Sequence, residues 1–297
     1  MHIDICVSTF RRAAVLDALR SLDAQRAPDG VSLAIIVADN DETPSAQADI
    51  LVASQSMRLP VTYIHAPSRN ISIARNACLD AARGPWVAFF DDDEVAPPDW
   101  ISKLYTHAVE NGLDAVFGPA IAQYPKDTPA WIRARDYHSN WPEQRGGVVQ
   151  TGHTCNALMN MTSLPFANQR FLLEKGRTGG EDTEYFFRAW RGGAKLGIAL
   201  DAVVYEPADP ARMSLAWIRR RKFRSGISYG RHSMESDSLG ERLQLLVKAG
   251  AKCLFSGIVA LAYLPFQARR NYWFLRAVFH AGACSAVIRV REQELYG

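Results

Sequence analysis

Residues 67–94 read PSRNISIARNACLDAARGPWVAFFDDDE, a helical pattern, then a strand, then a run of acids. Ile73, Ala74, Ala77, Cys78 and Ala81 recur at helical spacing and mark one apolar helix face. WVAFFD from Trp86 is a short apolar run of strand length, and Asp91, Asp92 and Asp93 follow at its end. Helix, strand and polar strand end in this order form one repeat of a sheet with crossover helices. The same alternation extends upstream. IDICVST from Ile3 and LAIIVAD from Leu33 read as strands, VTYIH from Val61 as a shorter one, and Val15, Leu16, Leu19 and Leu22 share a helix face. Ser8-Thr9, Asp39-Asn40-Asp41 and Asp91-Asp92-Asp93 close three of these strands. In an open α/β sheet, ligands bind at the carboxyl ends of the strands, so these clusters are predicted to converge on one crevice.

Downstream, residues 119–150 are rich in Pro, Trp and Gly and lack periodicity, which predicts a long excursion over the sheet. Order returns at CNALMN from Cys155. A helix opens near Glu181 with Tyr185, Phe186, Ala189 and Trp190 on one side, and Gly192-Gly193 stops it. From about Ser214 the chain reads as helical to its end. The organisation expected is a mainly parallel α/β domain over residues 1–210 and a basic, amphipathic helical region over 211–297.

Clustered carboxylates repel one another unless a cation or hydrogen-bond donors offset the charge. For the triple aspartate two readings stand: a site for a hard divalent ion, or a solvated turn ahead of a helix beginning near Asp99. Glu181-Asp182 also has two, because acids favour the first helical turn on dipole grounds alone. Trp131, Tyr137 and Trp141 offer aromatic faces for a sugar or for core packing.

The quoted block closely resembles the donor site of family 2 inverting glycosyltransferases. Arg75-Asn76, Gly84, and Asp91 with Asp93 stand where that family has its Arg/Asn-rich helix, its pre-strand glycine and its Asp-x-Asp motif. The likeness continues in VSTFRR, in Asp39 and in GGEDTEYFFRAWRGG, and covers roughly residues 1–230. It implies the GT-A fold, a Rossmann-like mixed sheet flanked by helices. By the same resemblance, Thr9 and Arg11 line the nucleotide pocket, Asp39 bonds the base, Asp91 lies near the ribose or base, and Asp92 joins the donor set. Asp93 holds Mn²⁺ or Mg²⁺ and Arg75 pairs with the diphosphate. Asp182, beside Glu181, takes the acceptor's proton opposite the leaving group. His153 falls in a loop that approaches the acceptor in this fold, and Glu206 stands where many members carry a histidine metal ligand.

FFDDDE, GRTGGEDTEYFFR and EPADPARMSLAWIRRRKFRSG are most like the succinoglycan-type exopolysaccharide enzymes within the family. The implied donor is a nucleotide sugar, UDP by family habit. The implied acceptor is a saccharide or a polyprenyl-diphosphate-linked one. A metal-dependent nucleotidyltransferase would need a glycine-rich phosphate loop that STFRRAA lacks. A non-catalytic nucleotide-binding module is disfavoured by the intact Asp91, Asp93 and Asp182.

The chain carries a net +3, but residues 211–297 hold 15 Lys/Arg against 5 Asp/Glu, which leaves the first 210 residues acidic. That balance points the basic end at an anionic membrane surface or a phosphate and away from nucleic acid, and the lipid-diphosphate acceptor that the resemblance implies would make Arg219 and Arg224 acceptor contacts. The apolar run Cys253–Phe266 is 14 residues long, shorter than the roughly 20 that span a bilayer. The stretches Leu243–Phe266 and Tyr272–Val290 are interrupted by Lys248, Lys252, Arg276 and Arg289, so they are expected to lie on a membrane or to pair in a homodimer interface. Five scattered cysteines and no recognisable leader fit a cytoplasmic protein, peripheral on the inner face of the membrane.

Overall fold

In Ile3-Asp4-Ile5-Cys6-Val7 alternate side chains must point to opposite faces of a strand, and both faces are buried. Ile3, Ile5 and Val7 join one apolar cluster and Cys6 joins another on the far side of the sheet. A computed structural model describes residues 1–234 and 238–287. The strands are β1 (His2–Thr9), β2 (Ser32–Asp39), β3 (Val61–His65), β4 (Trp86–Asp91), β5 (Ala115–Phe117), β6 (Ala120–Gln123), β7 (Asn156–Asn160), β8 (Leu196–Ile198) and β9 (Val204–Pro207). The helices are α1 (Val15–Asp23), α2 (Gln47–Ser54), α3 (Ile71–Ala81), α4 (Trp100–Glu110), α5 (Ala130–Arg133), α6 (Glu181–Arg191), α7 (Leu215–His232), α8 (Leu239–Ala262) and α9 (Gln267–Val287).

Seven strands form the main sheet in the order β3-β2-β1-β4-β7-β5-β8. The β1, β2, β3 and β4 pairings are parallel, and β7 runs antiparallel between β4 and β5. Thr9 pairs with Asp39 and Ser8 with Asp91, so the polar strand ends come level. β6 and β9 make a separate two-stranded sheet, and a bridge from Tyr205 to Val95 ties β9 to the acidic run. On one face Leu19, Leu22, Trp100 and Leu104 pack on the sheet. On the other, Ala74, Cys78, Tyr185 and Phe186 do so. Each such fully buried large side chain stabilises by about 1.5–3 kcal/mol. Buried Asp4 accepts hydrogen bonds from the Arg83 and Gly84 amides at 2.8 and 2.7 Å and so fixes where β4 begins. A Cβ at Gly84 would lie 2.7 Å from the His2 carbonyl oxygen, which is why glycine stands there.

Two compact units divide the chain. Among the described residues, one comprises 1–123 and 138–207, and the other joins 124–137 to 208–234 and 238–287. The excursion expected over 119–150 is therefore split between them. In the second unit Trp131, Ile132, Ile218 and Leu275 form a small core. There α7 and α9 approach closely: a Cβ at Gly226 would lie 2.0 Å from the Phe279 carbonyl oxygen, and one at Gly282 would lie 2.1 Å from that of Phe223. α8 begins at Leu239, so its apolar stretch is longer than the Cys253–Phe266 run. It reaches a mean hydropathy of 1.7 over an 18-residue window, long and apolar enough by composition to cross a membrane. The end of the Tyr272–Val290 stretch, with Arg289, lies outside the described residues.

Candidate active site

The end of β2 is an acidic loop that the protein satisfies internally. Asp39 is fully buried, and its carboxylate accepts from the Asp41 amide (3.0 Å), the Ala46 amide (3.0 Å) and the Tyr63 hydroxyl (2.8 Å). The contact to a base expected of Asp39 needs an acceptor directed outward. Here the carboxylate is directed into its own loop. Asp41 is gripped by Arg11, whose Nε and Nη2 donate to its two oxygens at 2.9 Å each. That bidentate fork pulls the Asp41 carboxyl down to about 2, against the burial that would raise it. Arg11 holds a left-handed φ of 53° as it makes this pair.

The end of β4 is different. Thr9 donates from its hydroxyl to Asp92 Oδ2 at 2.7 Å, Arg12 donates to Asp92 Oδ1 at 3.0 Å, and Arg12 also pairs with Asp93. Arg12 was not singled out in the sequence, although its place in VSTFRR beside Arg11 was the available signal. Thr9 and Asp92 thus hold each other, two strands brought level by the register of β1 and β4. Asp91 is pushed up to about 7, chiefly by burial and then by Asp93, Asp92 and Glu206, while Arg75 opposes. Glu94 is pushed well above its ordinary value by burial, Asp91, Glu206 and Asp93. Glu206 lies on β9 and its charge acts on Asp91 and Glu94. Among the described residues no three His, Cys, Asp or Glu side chains form a ready metal cage. The donor set is all oxygen, and its clustered charge helps to raise Asp91 and Glu94. That fits a hard ion such as Mg²⁺, which takes one or two carboxylates from protein and further oxygens from phosphate.

The Arg/Asn-rich helix α3 performs a task that the sequence did not disclose. Asn70 caps it, accepting from the Ser72 amide at 3.1 Å, and donates to the Leu173 carbonyl at 2.9 Å. Ser72 donates to the Leu172 carbonyl at 2.9 Å, and Asn76 exchanges two bonds with the Phe171 backbone. Polar side chains of α3 thereby fasten the segment that leads into α6. Arg75 completes the link: it is buried, ion-paired with buried Glu181, and its guanidinium lies 5.6 Å from the Phe171 ring centroid. The sequence expected Arg75 on a diphosphate. The structure sets it against Glu181, with its charge acting on both Asp91 and Asp182. Glu181 Oε2 is buried with no hydrogen-bond partner among the described residues.

Asp182 sits in the first turn of α6. Burial acts to raise its pKa, but His153, Arg75 and the Thr183 amide outweigh burial and hold it below its ordinary value. Its Oδ1 accepts from the Thr183 amide at 2.6 Å, and its Oδ2 lies 3.0 Å from His153 Nδ1. An ionised carboxylate only accepts, so Nδ1 carries the proton in this pair. Thr151 donates to the Thr183 carbonyl at 2.8 Å and keeps the His153 loop on α6. Of the aromatic residues named for sugar stacking, Trp131 is buried in the core of the second unit, 5.6 Å from the Tyr137 ring, whereas Trp141 is half exposed. Arg219 is exposed on α7 and Arg224 is partly buried there, both in the second unit.

Comparison with known proteins adds to this geometry. A model of "Glycosyl transferase family 2" matches residues 4–165. The succinoglycan biosynthesis protein ExoM of Rhizobium meliloti (strain 1021) is 41% identical over 297 residues, covering 100% of this chain and 96% of that protein. ExoO of the same organism is 29% identical over 93 residues, 30% of this chain and 25% of that one. Among solved structures, the mannosyltransferase PcManGT from Pyrobaculum calidifontis in complex with GDP-Man and Mn²⁺ superposes with a TM-score of 0.65 at 17% identity, over 96% of this chain and 86% of that one. S. aureus TarS 1-349 in complex with UDP-GlcNAc gives 0.54 at 15% identity, over 95% and 92%. At these identities the likeness shows a shared GT-A fold.

Proposed function

This chain belongs to glycosyl transferase family 2, and from that premise we propose that it moves one sugar, with inversion, from a uridine diphosphate sugar to a lipid-linked saccharide in exopolysaccharide synthesis. The observation that carries the proposal is the position of Arg75. One guanidinium acts on Asp91 at the end of β4 and on Glu181 and Asp182 at the start of α6, so the phosphate-binding and proton-accepting ends belong to one site. The full-length identity to a succinoglycan biosynthesis protein supports the product class.

Asp93 would hold a divalent ion, joined by Asp91 in place of the ribose or base contact that the resemblance implies for it, and the ion when bound offsets the charge growing on the departing nucleoside diphosphate. Thr9 and Arg12 keep Asp92 and Asp93 oriented, and Arg11 with Asp41 shapes the adjoining loop. Asp182 is the general base. As the acceptor oxygen bonds to the anomeric carbon, the bond to the diphosphate breaks with its electron pair. The acceptor's proton then becomes acidic enough for a weak carboxylate base to take it. His153 and Thr183 fix the plane of that carboxylate, so His153 is a positioning residue; this replaces the acceptor contact expected from its loop. Trp141 remains the candidate for sugar contact, and Arg219 and Arg224 the candidates for an acceptor diphosphate at an anionic membrane face.

The test is to incubate purified enzyme with a panel of nucleotide sugars and Mn²⁺ and follow nucleoside diphosphate release. Release from at least one donor is expected. If none is hydrolysed or transferred, and none protects against thermal unfolding, the proposal fails.

A further inference from the structure

Helix α8 carries its apolar residues on the wrong side for a helix of a soluble bundle. Its buried residues are Ala249, Ser256 and Ala260, small side chains on one face, and α9 packs against it. Leu243, Val247, Leu254, Ile258 and Leu261 recur at spacings of four, seven, four and three residues, which puts them together on the face opposite. Leu254, Ile258 and Leu261 are 68, 58 and 66% exposed. Just beyond the helix, Leu264 and Phe266 continue the exposed surface. In all, 22% of the most apolar window is buried, whereas a core helix of like hydropathy would be mostly buried. A contiguous apolar stripe of this size marks a surface that something covers.

Charge identifies the cover. Residues 238–287 hold six Lys/Arg and one Asp/Glu. Lys248 and Lys252 are exposed and flank the stripe one turn apart. Arg269 lies 5.4 Å over the Tyr263 ring, and Arg276 lies 5.7 and 5.3 Å over Tyr272 and Trp273, the amphipathic pairs that sit at headgroup depth. A second copy would bring like charge against like charge, while an anionic surface complements it. The two lysines stand at the middle of α8, the most costly depth for them in a span, whereas a helix lying flat leaves them among headgroups.

We infer that the outward face of α8 lies flat in the interface of an anionic bilayer, with Leu243, Val247, Leu254, Ile258 and Leu261 in the acyl boundary and Lys248 and Lys252 on phosphate headgroups. This docking deepens the membrane-face part of the proposed function, yet it stands on the exposed face alone and does not require sugar transfer.

The full chain is mixed with preformed vesicles of phosphatidylcholine alone or with phosphatidylglycerol at one part in three, then floated at low and high salt. Binding to the anionic vesicles is expected, weakened by salt and released by alkaline carbonate. Leu254→Glu with Ile258→Glu should lose at least tenfold in partitioning. Lys248→Gln with Lys252→Gln should lose about fivefold per lysine on anionic vesicles and nothing on phosphatidylcholine. Both pairs are exposed, and unchanged circular dichroism and donor hydrolysis would show that fold and transfer survive. The inference is overturned if the chain floats with neither vesicle, if the double glutamate variant floats as well as the parent, or if carbonate fails to release it. A soluble dimer that the glutamates split, without flotation, would instead make this face an interface between copies.

Discussion

Two acidic strand ends flank β1, one at β2 and one at β4, and they are electrostatic opposites. Asp39 and Asp41 are met by amides, a phenol and a bidentate arginine, and the Asp41 carboxyl is drawn down to about 2. Asp92 and Glu94 are buried with Asp91 and Asp93 half-buried beside them, Glu206 acts on Asp91 and Glu94, and Asp91 is driven up to about 7. The number of carboxylates does not distinguish the ends. What distinguishes them is how far the chain's own donors reach: they hold Asp41 low at the β2 end, whereas at the β4 end Thr9 and Arg12 meet Asp92 and Asp93 while Asp91 and Glu94 stay raised. The β2 end builds a wall, and the β4 end is where the proposed cation and diphosphate would offset the clustered charge.

The largest effect is expected at neither strand end. Asp182→Asn should lower kcat by about 10²–10⁴-fold while donor binding, read by calorimetry, stays intact. Parental turnover in that variant would return proton transfer to the strand-end acids. His153→Asn should lower kcat by about ten- to a hundredfold through misplacement of the Asp182 carboxylate, with KM for the donor nearly unchanged. A change confined to the acceptor KM would make His153 an acceptor contact instead.

The next effect sharpens the contrast through pH. Asp91 is raised from 3.8 to about 7 in the folded chain, so the fold holds a proton that the unfolded chain has released. Metal-free stability therefore falls as pH rises from about 4 to about 7. Added Mn²⁺ should raise the thermal midpoint more at pH 8 than at pH 5, because ligation needs the ionised form. For Asp41 the sign reverses. Its folded value lies below 3.8, so its contribution is present above that value and is lost as pH falls towards about 2. Scanning calorimetry of Asp91→Asn and Asp41→Asn should show each variant flattening only its own limb. The smallest effect is on function: Asp41→Asn should cost a few degrees of thermal midpoint and leave metal dependence as it was.

The sheet was legible because β1, β2 and β4 are short β-branched or apolar runs that end in polar residues, and register then brings Thr9, Asp39 and Asp91 level. The direction of β7 was not, since CNALMN has the same composition whichever way it pairs. α6 was legible from Glu181 to the Gly192-Gly193 stop. α3 was legible as a helix, but the apolar face read from it missed the polar residues that matter. Ser72 and Arg75 are buried because they bond to residues about a hundred positions away, and a local pattern holds no record of such partners. The same limit hid the pairing of Asp182 with His153. It also hid the fate of Trp131, where a core with Ile218 and Leu275 forms from distant segments. Gly226 and Gly282 went unnoticed in the sequence, because the close approach that requires them shows only once α9 lies against α7.

The contrast between the strand ends is tested most directly by titrating UDP into the parent, Asp93→Ala and Asp41→Asn, each with and without Mn²⁺. The parent and Asp41→Asn should bind UDP much more tightly with the metal, and Asp93→Ala should lose that gain. Metal-dependent binding that survives in Asp93→Ala, or that disappears in Asp41→Asn, would contradict the placement of the metal and diphosphate at the end of β4.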